Sequence, residues 1–278
     1  MLSCRAMERD AQLLAEALRR AERGLVLVVT GAGVSAASGL PTFRGTDPGA
    51  IWAHDVLEVG TFQYFQRHPV AWWQWFLDRF SGLPGARPNA AHRALVDLER
   101  WQLARGGDFL LVTQNIDTLH EQAGSRRLLK VHGSFDRLRC ARTGCRLGAP
   151  AGSMPVSDVD LAPFIAAPGR DTLPRCPECG ALLRPHALLF DEFYEDHIDY
   201  GYGEVLRALE RMALALFVGT SFAVAVTDVV LREALGWRTP VYSIDPAAEP
   251  PVRGVTGLRA PAEELLPAVC RELGPSPP

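Results

Sequence analysis

Short apolar runs recur along the chain, with helix-period segments between them. The runs LVLVV (25–29), FLLVT (109–113), LLKV (128–131), LALFV (214–218) and PVYSI (240–244) are rich in β-formers and too short for helices, so they predict strands. Apolar residues return at helical spacing over 8–22, 69–80, 89–101, 117–123, 203–212, 227–236 and 261–273. A strand buried on both faces reads as an unbroken apolar run, so the alternation predicts an α/β fold, an open parallel sheet with helices on both faces.

Two regions depart from this rhythm. Residues 46–88 are rich in Trp and Phe with no strand signal, which predicts a helical insertion; residues 135–202 hold four of the six cysteines and a Gly/Pro-rich stretch, which predicts a small inserted module. The remaining pieces, 1–45, 89–134 and 203–278, would then form the sheet domain, with the tail GPSPP frayed.

Composition narrows the classes of partner. The 278 residues are 47% hydrophobic, enough to bury a full core, and the formal net charge is −3 with no basic run, which argues against nucleic acid. Lys130 is the one lysine among 29 basic residues. The first 24 residues alternate charge with apolar positions and do not read as a signal peptide. No apolar stretch approaches the ~20 residues a bilayer requires, so a cytoplasmic protein without a membrane partner is expected.

Four short motifs carry chemistry. Gly31-Ala32-Gly33-Val34-Ser35-Ala36 follows the first strand and matches the dinucleotide fingerprint G-x-G-x-x-(G/A), in which glycines make a tight turn and let backbone approach a pyrophosphate. The alternative is a glycine turn packed for steric reasons. An ordinary dehydrogenase would place an acidic residue at the end of a second strand about 20 positions on. Asp55 has no strand before it, and the loop carries Phe43 and Arg44 instead. Gln114-Asn115-Ile116-Asp117 follows the second strand and suits ribose hydroxyls or a carboxamide, or else caps the next helix. Val131-His132-Gly133-Ser134 puts a histidine after the third strand, and Gly219-Thr220-Ser221 follows the fourth, where taken alone it reads as an ordinary strand-end turn with a hydroxyl cap, although its amides and hydroxyls could also reach phosphates or ribose.

The cysteines pair as Cys140-x4-Cys145 and Cys176-x2-Cys179, spacing that suits four thiolates around a tetrahedral zinc. Two disulfides are the alternative, which a cytoplasmic location disfavours. Cys4 and Cys270 have no partner in sequence and read as free thiols.

GAGVSAASGLPTFRG, TQNIDTLHEQAG, VHGS, the two cysteine pairs and VGTS (218–221) occur in the order found in sirtuins, and the resemblance covers about residues 25–265. It implies a Rossmann-like sheet that binds NAD in order to break its nicotinamide–ribose bond. An acylated protein lysine would attack the ribose, giving nicotinamide and O-acyl-ADP-ribose. It also implies His132 as the general base, with Asn115 beside it at the reacting centre. Asn115, Ile116 and Asp117 would line the nicotinamide and ribose pocket, with Gln114 holding the ribose. Gly31, Ala32, Gly33, Ser35, Gly219, Thr220 and Ser221 would contact NAD, and Phe43 and Arg44 would belong to a mobile cofactor loop. Asp245, where the family usually has Asn, would face the adenosine ribose with Pro246 and Ala247, and Ala262 would lie on the adenine side. The four cysteines would hold one structural zinc, although the first pair departs from the commoner C-x2-C.

The resemblance extends to the substrate. PVAWWQWFLDR (69–79) aligns with the helix that carries Tyr-x-x-Arg in desuccinylase-type sirtuins; here it reads Phe76-x-x-Arg79, keeping the cation and losing the hydroxyl. Thr42 also follows that subgroup. Phe76 beside the arginine would favour a neutral or longer acyl chain. The same aromatic spacing also fits a helix face packed in the core. RPHALLFDEFY (184–194) resembles the segment along which sirtuins lay the substrate peptide, with Leu189, Phe190, Asp191 and Glu192 as contacts. Asp191 replaces the usual Gly and would either narrow the cleft or favour basic flanking sequence. Two other functions share these motifs: an NAD hydrolase or ADP-ribosyltransferase, and a non-catalytic NAD-binding or redox module.

Overall fold

All five apolar runs become strands within one or two residues of their expected bounds in the computed structural model, which describes residues 4–41, 55–246 and 252–275. The strands are β1 (Leu25–Thr30), β2 (Asp108–Thr113), β3 (Leu128–Lys130), β4 (Gly133–Cys140), β5 (Met154–Pro155), β6 (Leu183–Ala187), β7 (Met212–Val218), β8 (Val241–Ile244) and β9 (Val255–Leu258). Six of them form a parallel sheet in the order β3-β2-β1-β7-β8-β9, and β5-β4-β6 form a small antiparallel sheet. The strand order reverses between β1 and β7, and open α/β sheets bind ligands at such a crevice.

Around the strands lie α1 (Cys4–Arg20), α2 (Asp55–Val59), α3 (Phe62–Arg67), α4 (Pro69–Arg79), α5 (Ala90–Ala104), α6 (Leu119–Ala123), α7 (Ala162–Ala166), α8 (Tyr202–Leu209), α9 (Ala225–Gly236) and α10 (Ala262–Leu273). Side chains alternate across the pleat, so β1 sends Val26 and Val28 to the core under α1, α5 and α10, and Leu27 and Val29 to the core under α8 and α9. The continuous run LVLVV is the signature of burial on both sides.

The residues of α2 to α4 and the cysteine module share a third core. Phe65, Trp72, Trp73 and Phe76 pack with Leu138, Cys140, Phe164, Cys176 and Leu183, and Trp73 Nε1 donates to the Leu183 carbonyl at 3.1 Å. The aromatic spacing in 69–79 therefore serves packing first.

Three local features differ from the sequence reading. After β1 the chain forms a 3-10 helix over Ala32–Ser38, ended by Gly39 at φ +83°, in a stretch outside the helical ranges read from the sequence. The Gly33 N–H goes to Gly219 O at 2.9 Å, so the turn is pinned to β7 as it starts. The helix expected over 203–212 stops at Leu209, because Met212 already opens β7. The edge strand β9 was not expected: VTGL is mostly exposed and holds a glycine.

Candidate active site

Register brings the motifs together. Thr30 pairs with Thr113 of β2 and Val218 of β7, so Gly31, Gln114 and Gly219 leave the sheet side by side. A Cβ on Gly31 would lie 2.7 Å from Gly219 O, one on Gly33 would lie 2.7 Å from Gly219 Cα, and Gly219 itself sits at φ +58° with its Cβ position 2.4 Å from Val34 N. Steric packing of two turns and a cradle free of side chains are thus the same feature.

A cavity of about 400 Å³ opens at this edge. Its polar wall holds Gly31, Ala32, Gly33, Gln114, Asn115, His132, Gly219, Thr220, Ser221 and Asp245; its apolar wall holds Trp72, Trp75, Phe76, Phe80, Ile116, Leu189 and Phe190. The expected residues from four separate motifs therefore meet around one space.

His132 is oriented from both ring nitrogens. Nδ1 lies 2.7 Å from the Gln114 carbonyl, which can only accept, so Nδ1 carries the proton and Nε2 the lone pair. Tyr194 Oη lies 3.1 Å from Nε2. Burial holds the imidazole down to about 4, and the Gln114 carbonyl opposes that shift. The ring is a neutral base at physiological pH. Gln114 is itself fixed, with Nε2 donating to Thr220 Oγ1 at 3.1 Å and to the Thr30 carbonyl at 3.3 Å.

Asn115 braces the glycine turn: its Nδ2 donates to Gly31 O at 3.0 Å and lies 3.3 Å from Ser35 Oγ. Asp117 accepts from Ser35 Oγ at 2.9 Å and from Leu119 N at 3.0 Å, so it satisfies the first amide of α6 from the position before the Thr118 N-cap. Burial pushes its carboxyl up, countered by the Leu119 amide, the Ser35 hydroxyl and the Lys130 charge. Lys130, the lone lysine, donates to Asp117 O at 2.6 Å and Ser134 Oγ at 2.7 Å and pairs with Glu121 at 2.7 Å. Nothing in the spacing of its neighbours marks this role.

The proposed acyl-reading pair is divided. Phe76 stacks on Trp72 at 5.3 Å and lines the large cavity. Arg79 lines an adjoining pocket of about 50 Å³ with Ser35, Asn115 and Asp117. One helical turn separates the two residues, and each borders a different pocket.

The segment after β6 uses its carboxylates for architecture. Asp191 accepts from Phe62 N at 2.6 Å and Gln63 N at 3.0 Å, so it caps the first turn of α3, which neither sequence reading of this residue foresaw. Asp191→Ala should cost about 1 kcal/mol in chemical denaturation, the typical loss for a helix cap. Glu192 pairs with the buried guanidiniums of Arg139 and Arg184 and accepts from Leu189 N at 3.0 Å, while still touching the cavity wall. Leu189 is buried, while Phe190 is 49% and Phe193 70% exposed. Arg139, Arg184 and Tyr194 were missed by sequence reasoning, since each gains its role from a partner distant in the chain.

Other expected contacts fall outside the cavity. Ala262 is buried in the core at the start of α10, and Pro246 is exposed beside the rim. Thr42, Phe43, Arg44 and Ala247 lie outside the described residues.

The four cysteine sulfurs lie within 4.8 Å of one another, with Cys140–Cys179 at 3.5 Å and Cys145–Cys176 at 3.7 Å. Sulfurs about 2.3 Å from a tetrahedral zinc stand about 3.8 Å apart. The Arg142 amide donates to Cys140 Sγ at 3.4 Å, and the Ala181 amide helps to bring the Cys179 thiol down to about 7, while burial pushes Cys140 up. The set fits one closed, structural zinc. Cys270 lies apart from this cluster, its thiol 3.4 Å from Ala94 O, and the side chain of Cys4 lies outside the description.

Residues 31–226 match the model of the Sir2 family. An NAD-dependent protein deacylase of Thermus thermophilus is 37% identical over 239 residues, covering 85% of each chain. An NAD-dependent protein deacetylase of Caldivirga maquilingensis is 34% identical and covers 89% of this chain and 88% of its own. Among solved structures, a Sir2 homolog–NAD complex aligns with TM-score 0.74 at 32% identity, covering 94% of this chain and 93% of that one. A Sir2–p53 peptide–NAD+ complex aligns with TM-score 0.74 at 25% identity. The chain belongs to the Sir2 family.

Proposed function

We propose that this chain is an NAD-dependent protein lysine deacylase with His132 as its general base. One observation carries the reading: the lone pair of His132 and the side chain of Asn115 meet at a single cavity with both glycine turns, where the strand order reverses. NAD, when bound, would supply the ribose carbon that loses nicotinamide and accepts the acyl oxygen.

The chain's own residues support each requirement. Gly31, Gly33 and Gly219 present backbone where any Cβ would collide, a cradle suited to phosphates. Gln114, Thr220, Ser221 and Asp245 offer polar contacts to ribose hydroxyls. The neutral Nε2 of His132 is ready to take a hydroxyl proton without first losing one of its own. The aromatic wall offers an apolar surface on the other side of the cavity.

The acyl group would lie against Trp72, Trp75, Phe76 and Ile116, a wall with no cation among its described residues. An acyl carboxylate placed there would lose hydration without a partner. Incubation with NAD and acetyl-, succinyl- and longer-acyl-lysine peptides should therefore release nicotinamide only when an acyl peptide is present, and faster with the neutral acyl groups. Arg79→Met should change the succinyl:acetyl ratio by less than about two-fold, since Arg79 faces the other pocket. A succinyl preference that Arg79→Met abolishes would overturn this assignment of the wall, and nicotinamide release that ignores the peptide would favour the hydrolase reading.

The peptide itself would run beside residues 184–194, adding a strand. No helix among the described residues is long and apolar enough to cross a membrane. A cytoplasmic location belongs to the same reading, as does a division into a sheet domain (1–45, 89–134, 203–278), a helical insertion (46–88) and a zinc module with the peptide strand (135–202).

A further inference from the structure

We propose that Tyr194 is a positioning residue for the base: its hydroxyl donates to His132 Nε2 and selects the neutral tautomer that keeps its lone pair on that nitrogen. This rests on the reading of His132 as the base. Partners that can act in only one way set the direction. The Gln114 carbonyl can only accept, so His132 Nδ1 donates to it at 2.7 Å and the lone pair of the neutral ring falls on Nε2. Tyr194 Oη stands 3.1 Å from Nε2, and a nitrogen that carries a lone pair accepts, so the phenol is the donor. Phenol, imidazole and carbonyl form one line.

The tyrosine is held in place by packing as well. Its ring stacks on Tyr202 at 4.7 Å and lies nearly parallel to His132 at 5.8 Å. Burial raises its hydroxyl to about 12, so it stays a phenol and a donor. A substrate hydroxyl that reaches Nε2 takes over a position already shaped for an O–H donor.

The device would add to burial, which already opposes protonation of His132. A proton arriving at Nε2 meets the phenol hydrogen and must evict it, which opposes the imidazolium. The charged groups near His132 are engaged elsewhere: Lys130 with Glu121 and the Asp117 carbonyl, and Glu192 with Arg139 and Arg184. Asp117 binds Ser35, and Asp245 stands on the polar wall with Thr220. Glu195 acts on Tyr194 and Tyr202, and the Tyr202 phenol stays neutral.

The test is an NMR titration of the full chain labelled with 15N-histidine, with the His132 signal assigned by its loss in His132→Asn. In the unsubstituted protein, Nδ1 should carry the proton and Nε2 should be free of one at neutral pH. Tyr194→Phe keeps the stacked ring and removes the donor; the His132 midpoint should then rise by roughly 0.5–1 pH unit, with the acid limb of kcat/KM rising alongside. A proton on Nε2 in the unsubstituted protein, or an unmoved midpoint in Tyr194→Phe, overturns the proposal. The spectra read His132 directly, so they decide the role of Tyr194 even if His132→Ala retains activity and the base assignment fails.

Discussion

Replacing His132 by alanine should lower kcat for nicotinamide release in the presence of acyl peptide by about 10²–10⁴-fold, the usual contribution of a positioned general base. The fold should survive. His132 stands in a turn between β3 and β4 and borders an existing cavity, so its loss enlarges open space and does not create a sealed void. The two groups left without the imidazole, Gln114 O and the Tyr194 hydroxyl, both border that cavity or its edge and can be reached by water. Thermal unfolding measured beside the kinetics should therefore show a midpoint within a few degrees of the parent, with an NAD affinity of similar order. A variant that keeps activity within ten-fold would remove His132 from the chemistry.

Stripping the metal should have the largest effect on stability. Cys140 ends β4 and Cys176 opens the turn that leads into β6, and both thiols are buried in the core that also holds Trp73, Phe164 and Leu183. Without the ion, four thiols would crowd together with no partner that satisfies them all. A strong chelator or Cys176→Ser should cost several kcal/mol, on the order of 5, by analogy with the binding energies of small zinc domains. The loss should reach the cavity, because β4 begins at Gly133, next to His132. Elemental analysis should find one zinc per chain, and calorimetry should show the lowered transition together with lost activity. An unchanged transition in metal-free protein, or two disulfides in the folded chain, would contradict the structural role.

The parallel sheet was legible because burial on both faces makes each central strand an unbroken apolar run. β1 is the clearest instance: six consecutive residues are fully buried and none is charged. The small sheet was illegible for the converse reason. β4 carries Asp136, Arg137 and Arg139, and β6 carries Arg184, Pro185 and His186, residues that depress any strand signal. Arg139 and Arg184 are tolerated inside because Glu192, from the segment after β6, closes on both. Such compensation is invisible until the chain folds. The same limit applies to Asp191, whose carboxylate reads as a substrate contact in sequence and proves to cap a helix that lies over 120 residues earlier. Motifs at strand ends were readable because sheet topology alone brings strand ends together. Tyr194 was not, since its link to His132 spans 62 residues and follows no spacing rule.

The phenylalanine and arginine at 76 and 79, paired in sequence by the resemblance, line different pockets, and Asn115 and Ile116 line both of these. A three-residue step keeps two side chains on one face of a helix, so the sequence shows the shared face but not which pocket each side chain borders.

The most direct test of the account is the stoichiometry of the reaction under single-turnover conditions. With enzyme in excess over an acetyl-lysine peptide and NAD present, one nicotinamide should appear for each lysine freed, with the acyl group recovered on ADP-ribose, and none should appear without the peptide. Nicotinamide released without acyl peptide, or lysine freed without loss of NAD, would contradict it.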